Sequence, residues 1–185
     1  MITIRDAVEA DVEEVARVHV QAWRESYAAF LSPEALEGLS VDERRAQWRQ
    51  AFAGPSPKSR FLVAEENGAV VGFVRGGPLR DAALAPVAEA EIHAIYLLDT
   101  AKRRGAGRRL MAGVFDHLAR QGFGSVGLWV LKENRAARAF YEALGGRPGP
   151  EQAFDLRGDR VTEIAYSFAP IPVTPSVRIG IAKNK

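Results

Sequence analysis

Apolar positions recur along this chain with two different periods, and the changes of period mark out its elements. Ile2 and Ile4 alternate with Thr3 and Arg5, which predicts a short strand over residues 2–5. Val12, Val15, Ala16, His19, Val20, Trp23 and Tyr27 then fall at three- and four-residue spacing and predict an amphipathic helix. Asp11 reads as its N-cap, with Glu14 completing a capping box, and Arg24 and Glu25 as part of its solvated face. Ser32-Pro33 predicts a second, short helix with proline in its first turn. Ser40 or Asp42 starts a third, carrying Ala46, Trp48 and Phe52. Residues 61–64 and 69–74 predict two strands joined across Asn67-Gly68, a strong hairpin signal. Gly76-Gly77-Pro78 and the alanine-rich run after it read as a loop.

The next stretch organises the rest. Residues 91–98, Glu91-Ile92-His93-Ala94-Ile95-Tyr96-Leu97-Leu98, form a short apolar run that predicts a strand with both faces largely buried. Asp99 and Thr100 break it. A basic, glycine-containing segment comes next, Lys102-Arg103-Arg104-Gly105-Ala106-Gly107-Arg108-Arg109. Leu110, Met111, Val114, Phe115 and Leu118 then make one helical stripe. Residues 125–131 predict another buried strand, and Asn134 leads into a helix with Ala136, Ala137, Phe140, Tyr141 and Leu144, stopped by Gly145-Gly146. Strands over 153–156 and 161–168, turning at Arg157-Gly158-Asp159, complete an α+β pattern with a mixed sheet. Residues 1–168 read as one domain and 169–185, with three prolines and a Lys-Asn-Lys ending, as an extended tail.

Composition narrows the chemistry. At 185 residues, 47% apolar and 26% charged, the chain is an ordinary globular domain with a sizeable core. A net charge of +2 is too small to imply a nucleic-acid partner by itself, none is expected, and interest concentrates on the local basic loop. The absence of cysteine excludes disulfides, cysteine-ligated zinc and a cysteine nucleophile, and three scattered histidines with no His-x-x-x-His pair argue against a zinc site; no metal is expected. With no apolar run of membrane-spanning length and no signal-peptide pattern, a cytoplasmic location without membrane association is the expectation.

A strand, a basic glycine loop and a helix, in that order, suit a phosphate group. The first turn of a helix leaves backbone N–H groups unpaired and carries partial positive charge, and glycine lets an anion approach the backbone. Lys102, Arg103, Arg104, Arg108 and Arg109 surround that turn. A Walker A loop would need Gly-Lys-Ser/Thr, and a dinucleotide fingerprint a glycine where Leu110 stands. The string from Gly122 to Gly127 comes after a helix and precedes a strand, the reverse of the dinucleotide order.

The segment Lys102-Arg103-Arg104-Gly105-Ala106-Gly107 resembles the acyl-CoA loop of the GNAT N-acetyltransferase superfamily, Gln/Arg-x-x-Gly-x-Gly/Ala, with lysine in the first position. A second region strengthens the resemblance: Leu128-Trp129-Val130, then Asn134, then Phe140-Tyr141-Glu142-Ala143-Leu144-Gly145 looks like the family's strand, asparagine and Tyr-x-x-x-Gly helix. The resemblance spans residues 1–168. It implies a mixed, mostly antiparallel central sheet flanked by helices, acetyl-CoA as acyl donor, and a small-molecule or protein amine as acceptor, attacked directly in a ternary complex. A homodimer is compatible with it.

The resemblance also assigns roles. Phosphates fall to Lys102, Arg103, Arg104, Gly105, Ala106, Gly107 and Arg108, and pantetheine to the backbone of Ile95 and Leu97 and to Asn134. Asparagine is also a favoured N-cap. Tyr141 matches the tyrosine that protonates or hydrogen-bonds the departing sulfur, and a phenol is protonated at neutral pH; it also fits a core aromatic on its helix. Glu91 matches a catalytic carboxylate that takes the amine proton, His93 lies on the same strand face, and water is a third choice. Trp23 and Tyr27, one helical turn apart, are candidates to enclose the acceptor and equally fit the core. A non-catalytic acyl-CoA-binding module of the same fold, and a nucleotide- or RNA-binding domain using the basic loop, stand as the alternatives.

Overall fold

The computed structural model describes residues 1–54 and 56–172. In chain order it contains β1 (Thr3–Asp6), α1 (Val12–Tyr27), α2 (Pro33–Glu37), α3 (Val41–Ala53), β2 (Arg60–Glu66), β3 (Ala69–Pro78), β4 (Ala90–Leu97), α4 (Ala106–Arg120), β5 (Val126–Leu131), α5 (Arg135–Glu142), β6 (Arg147–Leu156) and β7 (Asp159–Phe168). The strands form one seven-stranded sheet in the order β1-β2-β3-β4-β5-β7-β6. Every neighbouring pair is antiparallel except β4 with β5. The expected mixed, mostly antiparallel sheet is therefore present.

Each face of the sheet carries its own core. On one face the α4 stripe, Leu110, Met111, Val114, Phe115 and Leu118, packs on Leu62, Val74, Ile92, Val126 and Leu128. Each such burial contributes about 1.5–3 kcal/mol. On the other face, Val15 and Ala16 of α1 and Trp48 of α3 cover Val63 and Phe73. Ser32 and Ser40 cap α2 and α3 by accepting from the N–H groups of Ala35 and Glu43, as their positions predict.

Several expectations are corrected. Asp11 and Glu14 form no capping box: the Asp11 carboxylate accepts from the Val8 N–H and pairs with Arg5, and Glu14 accepts from the Val70 N–H at 2.7 Å. Both side chains tie α1 to the sheet instead. Glu25, partly exposed beside the exposed Arg24, also accepts from the Asp99 N–H at 2.8 Å and so fastens the turn after β4 to α1. Gly76 and Gly77 continue β3 rather than opening a loop. A Cβ on Gly76 would stand 2.7 Å from Val114, and one on Gly77 2.3 Å from the Ser59 hydroxyl, so glycine here serves close packing. β6 begins earlier than expected because an edge strand tolerates Pro148 and Pro150, with a register shift between Pro148 and Glu151. Toward the chain's end, Ile171 is buried and its N–H meets the Gly124 carbonyl. The rest of the expected tail, 173–185, lies outside the described residues.

Two features of β4 set the geometry along its second half. The pairing Arg75 with Ala94 but Gly76 with Ile92 leaves His93 as an extra, bulged residue. The bulge shifts the side-chain phase: Ala90, Ile92, Ile95 and Leu97 face α4, while Ala94, Tyr96 and Leu98 face α1 and α3. β4 also pairs with β5 at only two positions, Ala90 with Val126 and Glu91 with Gly127. Beyond Glu91 the two parallel strands separate.

Candidate active site

The separation of β4 from β5 opens a slot with α4 at one end. The loop before α4 turns through positive φ at Arg103 (+58°) and Gly105 (+81°). The first helical bond runs from the Arg109 N–H to the Gly105 carbonyl. The N–H groups of Ala106, Gly107 and Arg108 are left without a carbonyl from their own helix. Space beside Gly105 is open, since a Cβ there would meet nothing within 4 Å. Gly107 differs: its missing Cβ would lie 3.2 Å from the Phe140 ring, so it brings α4 and α5 together. Ala106 is fully buried.

The basic side chains divide. Arg103 and Arg108 are exposed, with no hydrogen bond or ion pair among the described residues. Lys102 reaches Ser26 at 3.1 Å and Asp99 at 2.7 Å. Arg104 holds Glu66 with two hydrogen bonds of 2.7 and 2.6 Å, and Arg109 holds the Ile2 carbonyl. The last two are thus tied to other parts of the fold.

Lys102 and Asn134 line one cleft of about 590 Å³, together with Glu25, Ser26, Phe30 and Arg135. Asn134 caps α5, its Oδ1 accepting from the Ala137 N–H at 3.1 Å, which leaves its amide N–H groups for another partner. Ile95 and Leu97 are half-buried against the α4 core beside this slot. Tyr141, 6% exposed, packs between Phe140 and Tyr166. Its hydroxyl has no hydrogen-bond partner among the described residues. Burial, and then the nearby Tyr96 phenol, push it well above the usual tyrosine range, so it is a neutral O–H donor.

On the other side of β4 lies a second cavity of about 490 Å³, bordered by His19 and Trp23 of α1, Arg44 and Trp48 of α3, Arg75 of β3, and Arg80, His93 and Tyr96. His93 Nε2 meets the Pro78 carbonyl at 3.0 Å and must donate, since a carbonyl only accepts. Its Nδ1, buried and without a partner among the described residues, then carries the lone pair. Burial, with Arg80 and Arg75 nearby, lowers this histidine to about 4, against the weaker pull of the Pro78 bond and Glu91. Glu91 is 7% exposed, and its oxygens accept from the Arg80 N–H (2.8 Å), the Asp81 N–H (3.1 Å) and the Arg80 guanidinium (3.4 Å). It ties the β3–β4 connection to the strand. Trp23 meets Tyr27 edge-on at 5.1 Å, and Tyr27 packs against a small core of Leu31, Ala35, Leu131 and Val161. Trp23 borders the cavity; Tyr27 stands behind it.

Sequence reasoning missed His19, Arg44, Arg75, Arg80 and Tyr96. His19 and Tyr96 counted among the apolar positions of their elements, and the arginines come from separate elements that only the fold brings together.

The chain matches the model of the acetyltransferase (GNAT) family over residues 20–146. It is 34% identical over 168 residues to the uncharacterized N-acetyltransferase YuaI of Bacillus subtilis, covering 91% of this chain and 93% of that one. Its fold is similar to that of the PaiA N-acetyltransferase from Thermoplasma acidophilum, solved in complex with coenzyme A. The TM-score is 0.69 at 18% identity, over 91% of this chain and 99% of the other. It is equally similar to YncA of Salmonella typhimurium, solved with acetyl-CoA, at a TM-score of 0.69 and 19% identity over 96% and 99% of the two chains. The extent of the family match and the full-length relationship to YuaI establish that this chain belongs to the GNAT family of N-acetyltransferases.

Proposed function

We propose that this chain transfers an acetyl group from acetyl-CoA to a primary amine, which attacks directly in a ternary complex. The observation that carries this reading is the slot between β4 and β5, closed at two residue pairs and open beyond them. The basic loop stands at one end, and Asn134 lies in the adjoining cleft with Lys102. Bound in that slot, acetyl-CoA would supply an activated acetyl thioester.

The residues present fit such a ligand. The N–H groups of Ala106, Gly107 and Arg108 and the side chains of Arg103, Arg108 and Lys102 would hold its phosphates. Asn134 amide N–H groups and the backbone of Ile95 and Leu97 would hold the pantetheine arm. Unpaired N–H groups of β4 would donate to the acyl oxygen as it gains charge.

His93 Nδ1 takes a proton from the attacking amine, and Tyr141 gives one to the sulfur as the C–S bond breaks and the C–N bond forms. Net, the proton lost by the amine is the proton gained by the thiol. The neutral, unpartnered state of His93 Nδ1 supports it as base. The three donors already on Glu91 support a positioning role for that carboxylate.

Calorimetric titration with acetyl-CoA, in parallel with the Arg103→Glu/Arg108→Glu double variant, tests the donor half. Saturable binding weakened by the variant is expected; no binding to the wild type would overturn it.

A further inference from the structure

We infer that the cavity between α1, α3 and β4 binds a small amine that also carries an oxyanion group, a carboxylate or a phosphonate, so that the acetyl acceptor is a zwitterion. Acetylation of that amine rests on the function proposed above; the anion site rests on the cavity itself.

The half-buried arginines give the reason. Arg5 holds Asp11 and Glu65, Arg45 holds Glu13 and Asp42, and Arg60 holds Asp6. Arg138 bonds the Tyr166 hydroxyl, which in turn bonds Glu142. Arg44 and Arg75 are half-buried too, yet among the described residues neither holds a carboxylate. Arg44 bonds the neutral Gln47 amide at 2.9 Å and lies over the Trp23 ring at 5.2 Å. The Arg75 guanidinium has no hydrogen bond or ion pair among the described residues. Both border the same cavity, and so does Arg80, whose contact with Glu91 is long at 3.4 Å.

A guanidinium cannot shed its proton to escape partial desolvation, unlike lysine or histidine. Two such groups facing one cavity beside a third therefore lack an anion that the protein does not itself provide. A carboxylate or phosphonate supplies it with paired, charge-assisted hydrogen bonds. The two histidines of the cavity add no positive charge near neutral pH, as burial lowers His19 to about 3 and His93 to about 4. What they add is hydrogen-bonding capacity: the His19 Nδ1 accepts from Trp48, so its proton sits on Nε2, which is buried without a partner among the described residues. His19 is 5% exposed. The aromatic faces of Trp23 and Tyr96 would line the organic part of the ligand. About 490 Å³ is the volume of a small-molecule site, and the arginines oppose a polyamine, which brings only positive charge.

The test uses matched pairs that differ by the anion: L-leucine with 3-methylbutylamine, L-phenylalanine with 2-phenylethylamine, and 2-aminoethylphosphonate with ethylamine. Tryptophan emission reports binding, since Trp23 and Trp48 border the cavity. The titrations are run with and without coenzyme A. At least one anionic member is expected to bind saturably and at least about tenfold more tightly than its partner. Arg75→Gln, and separately Arg44→Gln, should bring that ratio toward one, with far-UV circular dichroism checking that each variant folds. Equal or tighter binding of the members without the anion, or no binding of any member in either condition, would overturn the inference. Acetyl transfer is not part of the readout. Its absence with selective anion binding would therefore sink the enzyme reading alone, and transfer without anion selectivity would sink this one alone.

Discussion

The His93 ring donates from Nε2 to the Pro78 carbonyl at 3.0 Å, and that one bond leaves the lone pair on the buried Nδ1. Because burial lowers the ring to about 4, it is already unprotonated across the neutral range. The rate at saturating substrates should stay level down to about pH 5 and fall as pH drops through about 4, where the base becomes protonated. Replacing His93 with Phe should lower that rate about 10²-fold or more and remove the acid limb. A profile unchanged in the variant would reassign the base.

Tyr141→Phe keeps the ring that packs between Phe140 and Tyr166 and removes only the hydroxyl. Affinity for acetyl-CoA should be unchanged, and turnover should fall about 10²-fold. Calorimetry and initial rates on one preparation check both. Normal turnover would return Tyr141 to a packing role.

The loop arginines should behave differently from one another. Reversing Arg103 or Arg108 to Glu removes an exposed charge that is unpaired among the described residues and should weaken acetyl-CoA binding by about 1.5–3 kcal/mol each, less at high salt. Arg104→Ala should leave affinity nearly unchanged, because its guanidinium is spent on Glu66. Gly107→Glu is the poorer probe, since any side chain there meets Phe140. Equal losses at Arg103 and Arg104 would contradict this division.

Acid stability carries a further consequence. His19 takes a hydrogen bond from Trp48, stacks on Tyr96 at 4.6 Å, and is lowered from 6.5 to about 3, chiefly by burial and then by Arg44. The unfolded chain therefore binds this proton more readily than the folded one between those values. Stability contributed by the neutral ring is whole above about pH 6.5 and declines as pH falls toward about 3. His19→Gln should flatten the dependence of the urea midpoint on pH in this window. An equal slope in both proteins would remove His19 as the cause.

Much of the fold was legible in the sequence because local chemistry and tertiary packing agree there. The stripe from Leu110 to Leu118, the Asn67-Gly68 hairpin and the Ser32 and Ser40 caps are examples. The bulge at His93 was not legible, because apolar residues fill both faces of β4 after it and a one-residue phase shift leaves no mark in the pattern. Asp11 and Glu14 had the spacing of a capping box but found Arg5 and the Val70 N–H, partners on the neighbouring strands β1 and β3. The resemblance pointed to the loop, Asn134 and Tyr141 as candidates. It did not reveal the arginine-lined cavity, whose residues are scattered from His19 to Tyr96 and carry no local motif.

The most direct measurement is thiol release from acetyl-CoA on adding amines, compared between wild type and Tyr141→Phe. A chain without cysteine gives no background in this assay. An acetyltransferase working through Tyr141 releases thiol only with the amine present, matches it one for one with acetylated product, and is strongly slowed in the variant. Acetyl-CoA binding without amine-dependent thiol release, across amines with and without an anionic group, would contradict that mechanism and leave an acyl-CoA-binding module.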